Sequence, residues 1–162
     1  VLARQEAQGS QAHAATPVDL QALVRDGITA VLPQAQARGI DLGLLEGDAV
    51  EVQGSPDGLH ILLRNLLDNA IKYTPEHGQV DVELKRDGTV PVLAVDDSGP
   101  GLDEEGRARA FDRFYRAVDV SASGSGLGLA IVKAIADQHG ATVQLLPSSQ
   151  LGGLRVEVRF AG

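Results

Sequence analysis

The run LHILLRNLLDNAIKY, Leu59 to Tyr73, fits one regular structure. Successive residues of an α-helix are turned by about 100°, which puts Asn65, Asn69 and Lys72 within one narrow arc, with Tyr73 beside it. Leu63, Leu67 and Ala70 fall roughly opposite, a face suited to packing on a sheet. Ser55-Pro56-Asp57 supplies a start, since Ser55 or Asp57 can cap and proline is tolerated in the first turn. Thr74-Pro75 supplies the stop, with Gly78 just beyond. Asn costs about 0.5 kcal/mol or more relative to Ala inside a helix. A helix that keeps two of them four residues apart uses their side chains, unless the face is merely solvated.

The rest of the chain reads around that helix. Residues 1–16 read as a helix tail and linker, and Pro17 and Asp19 open a segment of helical spacing that ends before Gly39. Ile40 to Leu45 and Val50 to Val52 read as short strands. Alternation at Val80, Val82 and Leu84, the hairpin signal Asp87-Gly88 and the apolar run Val90 to Val95 predict further strands. Leu127 to Gln138 is helical and stops at His139-Gly140, and Val143 to Leu146 and Leu154 to Phe160 close the chain as strands. The expected fold is α+β: a two-layer α/β sandwich with a mixed sheet of about five strands and helices on one face.

Two glycine clusters follow the helix. Asp96-Asp97-Ser98-Gly99-Pro100-Gly101 ends the apolar strand, so a carboxylate leaving a buried strand can point into a pocket while the backbone turns. A surface turn is the plain alternative. In the pocket reading, Asp97 accepts a hydrogen bond from the exocyclic amine of adenine and rejects guanine. Gly124-Ser125-Gly126-Leu127-Gly128-Leu129 leads into a helix, whose free N–H groups attract phosphate. It is neither a Walker loop nor a dinucleotide fingerprint, and alone it equally suits a flexible joint. Between the clusters lies FDRFYR, Phe111 to Arg116.

Composition narrows the classes. At 162 residues a single domain with a real core is expected. A net charge of −8 argues against a nucleic-acid surface. No apolar run approaches the roughly 18 residues of a membrane span, so no direct membrane contact is expected. Without Cys there is neither a disulfide framework nor a thiolate metal site. Without Met, Val1 cannot be a translation start, and the chain is expected to be a fragment of a longer protein.

LLRNLLDNAIKYTP, VDDSGPG, FDRFYR and GSGLGLAIVKAIADQHG, in that order, resemble the N box, first glycine box, F box and second glycine box of bacterial sensor histidine kinases. The resemblance spans about residues 18–160. It implies the Bergerat α/β sandwich shared with gyrase, Hsp90 and MutL, with 17–162 as the catalytic ATP-binding domain. Residues 1–16 would then close the second helix of the preceding dimerisation and phosphotransfer domain and form a linker. By the same resemblance the ligands are ATP and magnesium. Asn69 would hold the metal, Asn65 would lie beside the phosphates, Lys72 would pair with one and Tyr73 would flank the purine. Asp97 would read adenine, with Gly99 and Gly101 shaping that wall. Gly126, Leu127, Gly128 and Leu129 would approach the phosphates. Residues 102–125 would form a lid anchored by Phe111 and Phe114, from which Arg113 or Arg116 could reach the triphosphate. The implied partners are a phosphotransfer domain of the same protein, in cis or trans, and a response regulator. The implied parent is a homodimer in the bacterial inner membrane with this domain in the cytoplasm.

Asn65 bears on the reaction. Fold relatives that hydrolyse ATP or phosphorylate serine typically carry Glu four residues before the magnesium Asn, as a base for water or a hydroxyl. An amide has no such basicity. A neutral imidazole needs no base, because its free nitrogen is already nucleophilic. The chain therefore reads as built to phosphorylate histidine, with a related ATPase, a serine kinase or a degenerate interaction module as alternatives. None of His13, His60, His77 and His139 sits in the family's acceptor pattern H-[ED]-x-x-[TN]-P. The acceptor is expected outside this chain, and His139 is read as a favourable helix end.

Overall fold

The computed structural model describes residues 16–45, 47, 49–111 and 128–161. Elements run β1 (Thr16–Asp19), α1 (Leu20–Ala37), β2 (Asp41–Leu44), β3 (Glu51–Gly54), α2 (Pro56–Tyr73), β4 (Gln79–Asp87), β5 (Val90–Asp97), α3 (Glu104–Arg109), α4 (Gly128–Gln138), β6 (Thr142–Pro147) and β7 (Leu154–Arg159). Five strands form a sheet in the order β2-β4-β5-β7-β6. β2 pairs with β4 in parallel and every other neighbouring pair is antiparallel, so the sheet is mixed, as expected.

Alternation decides what each face meets. Val80, Val82, Leu84, Leu93, Val95, Val156 and Val158 pack with Leu62, Leu63, Leu66 and Leu67 of α2 and with Val132 and Ile135 of α4 in one core. The intervening residues Asp81, Glu83, Asp96, Arg155 and Glu157 leave the other face, where Arg155 pairs with Glu83, Asp96 and Glu157 and Gln79 holds Asp81.

Local chemistry sets the helix starts. Asp19 Oδ1 accepts from the N–H groups of Gln21 and Ala22 at 3.0 and 3.2 Å. Ser55 Oγ accepts from Gly58 N–H at 3.1 Å, with Pro56 in the first turn of α2. Two details depart from the sequence reading. Thr16 to Asp19 form a strand paired with β3 rather than linker and helix start, because Asp19 caps α1 from an extended conformation. The polar stretch after Gly101 contains the short helix α3, capped by Asp103. Residues 1–15 and most of the expected lid, 112–125, lie outside the described residues.

Candidate functional site

Three separated sequence segments meet along the C-terminal half of α2. Asn69 lies against the first residue of α4: a Cβ on Gly128 would stand 3.0 Å from Asn69 Oδ1 and 3.1 Å from Nδ2. The free N–H groups of the first turn of α4 therefore start beside that amide. At the end of α2, a Cβ on Gly99 would stand 2.7 Å from the Tyr73 carbonyl oxygen. Gly101 turns the chain onward with φ near 72°, a conformation open to glycine. Lys72 and Tyr73 are half-buried in the last turn. Asn65 stands one turn before Asn69, and its Nδ2 donates to Ile61 O at 2.9 Å, anchoring the amide to its own helix.

Asp97 ends β5 and is 6% exposed. Both hydrogen bonds it accepts among the described residues fall on Oδ1, from Gly99 N–H at 2.9 Å and Leu154 N–H at 3.2 Å. Oδ2 has no partner there. Burial pushes the carboxyl above the ordinary carboxylate range, the two backbone donors pull it partly back, and the nearby Asp96 charge adds a smaller upward push.

Sequence reasoning missed several supports. Gly153 donates its N–H to Asp97 O at 3.1 Å, and a methyl on it would overlap Asp97 Oδ1. The Gly152-Gly153 pair before an alternating strand is the signal that could have marked this turn. Arg38, the C-cap of α1, donates to the carbonyls of Ile71 and Lys72 (3.1 Å to the latter), capping α2 where Lys72 and Tyr73 sit. His139 does more than end its helix. Its Nε2 accepts from Ser55 N–H at 3.0 Å, so Nδ1 carries the hydrogen and donates to Ile135 O at 2.8 Å.

Leu129 packs its side chain toward the core, so only its backbone is available to a phosphate. Phe111 likewise packs against the core. Arg113, Phe114, Arg116, Gly126 and Leu127 lie outside the described residues.

An amide oxygen beside the start of α4, and a buried acceptor by the C-terminal end of α2, suit a nucleoside phosphate. The sandwich and the site together define a nucleotide-binding domain. The chain belongs to the histidine kinase-, DNA gyrase B-, and HSP90-like ATPase family, whose model matches residues 54–161. It is similar to sensor protein QseC of Escherichia coli K12, at 39% identity over 144 residues that cover 88% of this chain and 31% of QseC. The chain thus spans about a third of the length of the curated relatives it matches. Among solved structures, the mycobacterial sensor histidine kinase MprB superposes with a TM-score of 0.79 at 31% identity, covering 90% of this chain and 96% of that one. Full-length ShkA in complex with AMPPNP superposes with a TM-score of 0.77 at 29% identity, covering 90% of this chain and 30% of ShkA.

Proposed function

We propose that the chain is the ATP-binding catalytic domain of a sensor histidine kinase, which donates the γ-phosphate of Mg-ATP to a histidine in a phosphotransfer domain outside this chain. The observation that carries this reading is the meeting of Asn69, Gly128 and the Asp97–Gly101 turn along α2. The AMPPNP bound by ShkA supports an adenine nucleotide as the ligand.

The residues present fit that ligand. Asp97 Oδ2 accepts the exocyclic amine, while the bonds to Gly99 and Leu154 keep the carboxylate oriented. Tyr73, Gly99 and Gly101 form the rest of the purine wall. The start of α4, with Gly126, Leu127, Gly128 and the backbone of Leu129, receives the phosphates. Lys72, whose ammonium has no hydrogen-bond or ion-pair partner among the described residues, pairs with one of them. Among the described residues no cluster of three His, Cys, Asp or Glu could hold a metal. Magnesium fits nonetheless, because it takes one or two protein oxygens and completes its shell with phosphate and water, and Asn69 Oδ1 is such an oxygen. When bound, magnesium neutralises phosphate charge.

Asn65 lies beside the phosphates and offers no base, which suits an imidazole acceptor and disfavours water. Arg113 or Arg116 offsets charge in transfer, and Phe111 and Phe114 anchor the segment 102–125 that covers the nucleotide. Residues 17–162 act as the catalytic domain, joined through 1–16 to the dimerisation and phosphotransfer domain, in cis or trans. The phosphate then passes to a response regulator aspartate. Among the described residues no helix is long and apolar enough to cross a membrane. We place the domain in the cytoplasm, as part of a homodimeric bacterial inner-membrane protein.

The test is a thermal shift with Mg-ADP against Mg-GDP, followed by labelled ATP with and without a phosphotransfer domain of a similar kinase. The expected results are stabilisation by ADP alone, no label on the chain itself, and label on the added domain. ATP turnover at rates typical of an ATPase would refute the assignment to histidine transfer.

A further inference from the structure

Asp96 and Asp97 are consecutive on β5, so their carboxylates leave opposite faces of the sheet. Asp97 turns to the nucleotide side. Asp96 turns to the face away from the helices, where it is 2% exposed. There it accepts from Arg155 Nη1 at 2.7 Å and from Ser148 Oγ at 2.6 Å. Arg155 stands directly opposite Asp96 in the β5–β7 register, and its other nitrogens bind Glu83 and Glu157, each at 2.9 Å.

The same cluster reaches Asp97 through the β6–β7 turn. Ser148 Oγ accepts from Leu151 N–H at 3.1 Å, and Ser148 N–H donates to Gly153 O at 2.8 Å. Gly153 N–H then donates to Asp97 O, and Leu154 N–H to Asp97 Oδ1. Asp96 holds the turn from behind the sheet, and the turn holds Asp97 in front of it.

We propose that Arg155 is a positioning residue for the nucleotide pocket, acting through Asp96 and the Ser148–Leu154 turn to keep Asp97 oriented and ionised on the opposite side of the sheet. The proposal rests on the reading of Asp97 as the adenine acceptor. A buried anion next to Asp97 disfavours ionisation of Asp97, adding to the larger effect of burial. Arg155 supplies the counter-charge. Other charged groups flank the pair: Asp81 and Glu83 on β4 and Glu157 on β7, while the end of α2, with Lys72 and Tyr73, approaches through the Tyr73 carbonyl beside Gly99. Asp81 stands opposite Asp96 in register, with its carboxylate held by Gln79 Nε2.

The test is the affinity for Mg-ADP by calorimetry from the acid range up to pH 8, in the wild type, Arg155→Gln, Arg155→Lys and Asp96→Asn. In Arg155→Gln the loss of affinity on acidification should begin at higher pH than in the wild type. In Asp96→Asn the loss should begin at lower pH than in the wild type, because the negative neighbour is gone. Arg155→Lys should stay close to the wild type. Simple structural damage would weaken both neutral variants in the same direction, whereas the proposal requires opposite displacements. Unmoved profiles, or displacements of one sign, would overturn it. Should Arg155→Gln fail to fold, Asp96→Asn decides alone, since Arg155 keeps Glu83 and Glu157 there. A wild type that does not bind Mg-ADP would sink the nucleotide assignment itself; binding with unmoved variant profiles sinks only the role of Arg155.

Discussion

Gly128 lies so close to Asn69 that the Oδ1 and Nδ2 of the amide leave room for a hydrogen and little for a methyl. The helix start and the proposed metal ligand are therefore fitted to each other across two elements far apart in sequence.

Gly128→Ala separates folding from binding. Gly128 opens α4 rather than standing in its interior, so Ala changes helix propensity little there and the melting temperature should stay level. The new methyl pushes Asn69 by a few tenths of an ångström, and Mg-ADP affinity should fall about tenfold, a typical consequence of displacing a positioned ligand group. Calorimetry with and without magnesium checks this: the loss should be larger with the metal present.

Asp97→Asn should leave the ligand-free protein at least as stable as the wild type. The amide oxygen can still accept from Gly99 and Leu154, and a buried charge has been removed. Stabilisation by Mg-ADP should disappear; at a hundred times the dissociation constant the wild type gains about 2.7 kcal/mol. A thermal shift with and without nucleotide reads both halves.

The pH dependence has opposite signs for binding and for folding. The carboxyl of Asp97 is raised above its unfolded value. Between those two values the folded chain holds a proton that the unfolded chain lacks. The contribution of Asp97 to stability therefore rises as pH falls through that window. Nucleotide affinity falls in the same window, because a protonated Oδ2 no longer accepts. Urea titrations and calorimetry across the acid range should show the two trends diverging.

Gly153→Val should be severely destabilising, by more than about 2 kcal/mol, since the side chain collides with Asp97 and Gly99 in a buried turn. Arg38→Met should cost about 1 kcal/mol, the loss of two caps on the α2 carbonyls. Denaturant midpoints measure both.

The helices and strands were legible because periodicity is local. Leu59 to Tyr73 could only alternate faces as a helix, and the valines at 80 and 82 only as a strand. Asn69, Asp97 and Gly128 could be picked out as candidate site residues because each has a local signal: an amide in a helix, a carboxylate ending an apolar strand, glycine in a cluster that leads into a helix. β1 was not legible, because its partner β3 is remote in sequence and Pro17 and Asp19 also describe a helix start. Arg38, Ser148, Gly153 and Arg155 were missed for a related reason. Each acts through hydrogen bonds or contacts to a distant segment, and nothing in its own neighbourhood announces the partner.

The ring of His139 ties the last turn of α4 to the first residue before α2. The two helices run in opposite senses, so this tie lies at the end remote from Asn69 and Gly128, about 20 Å along α2 at roughly 1.5 Å per residue. With Gly128 set against Asn69 at the other end, the two helices are fixed to each other at both extremities, so their separation at the proposed site is held by a bond that lies outside it.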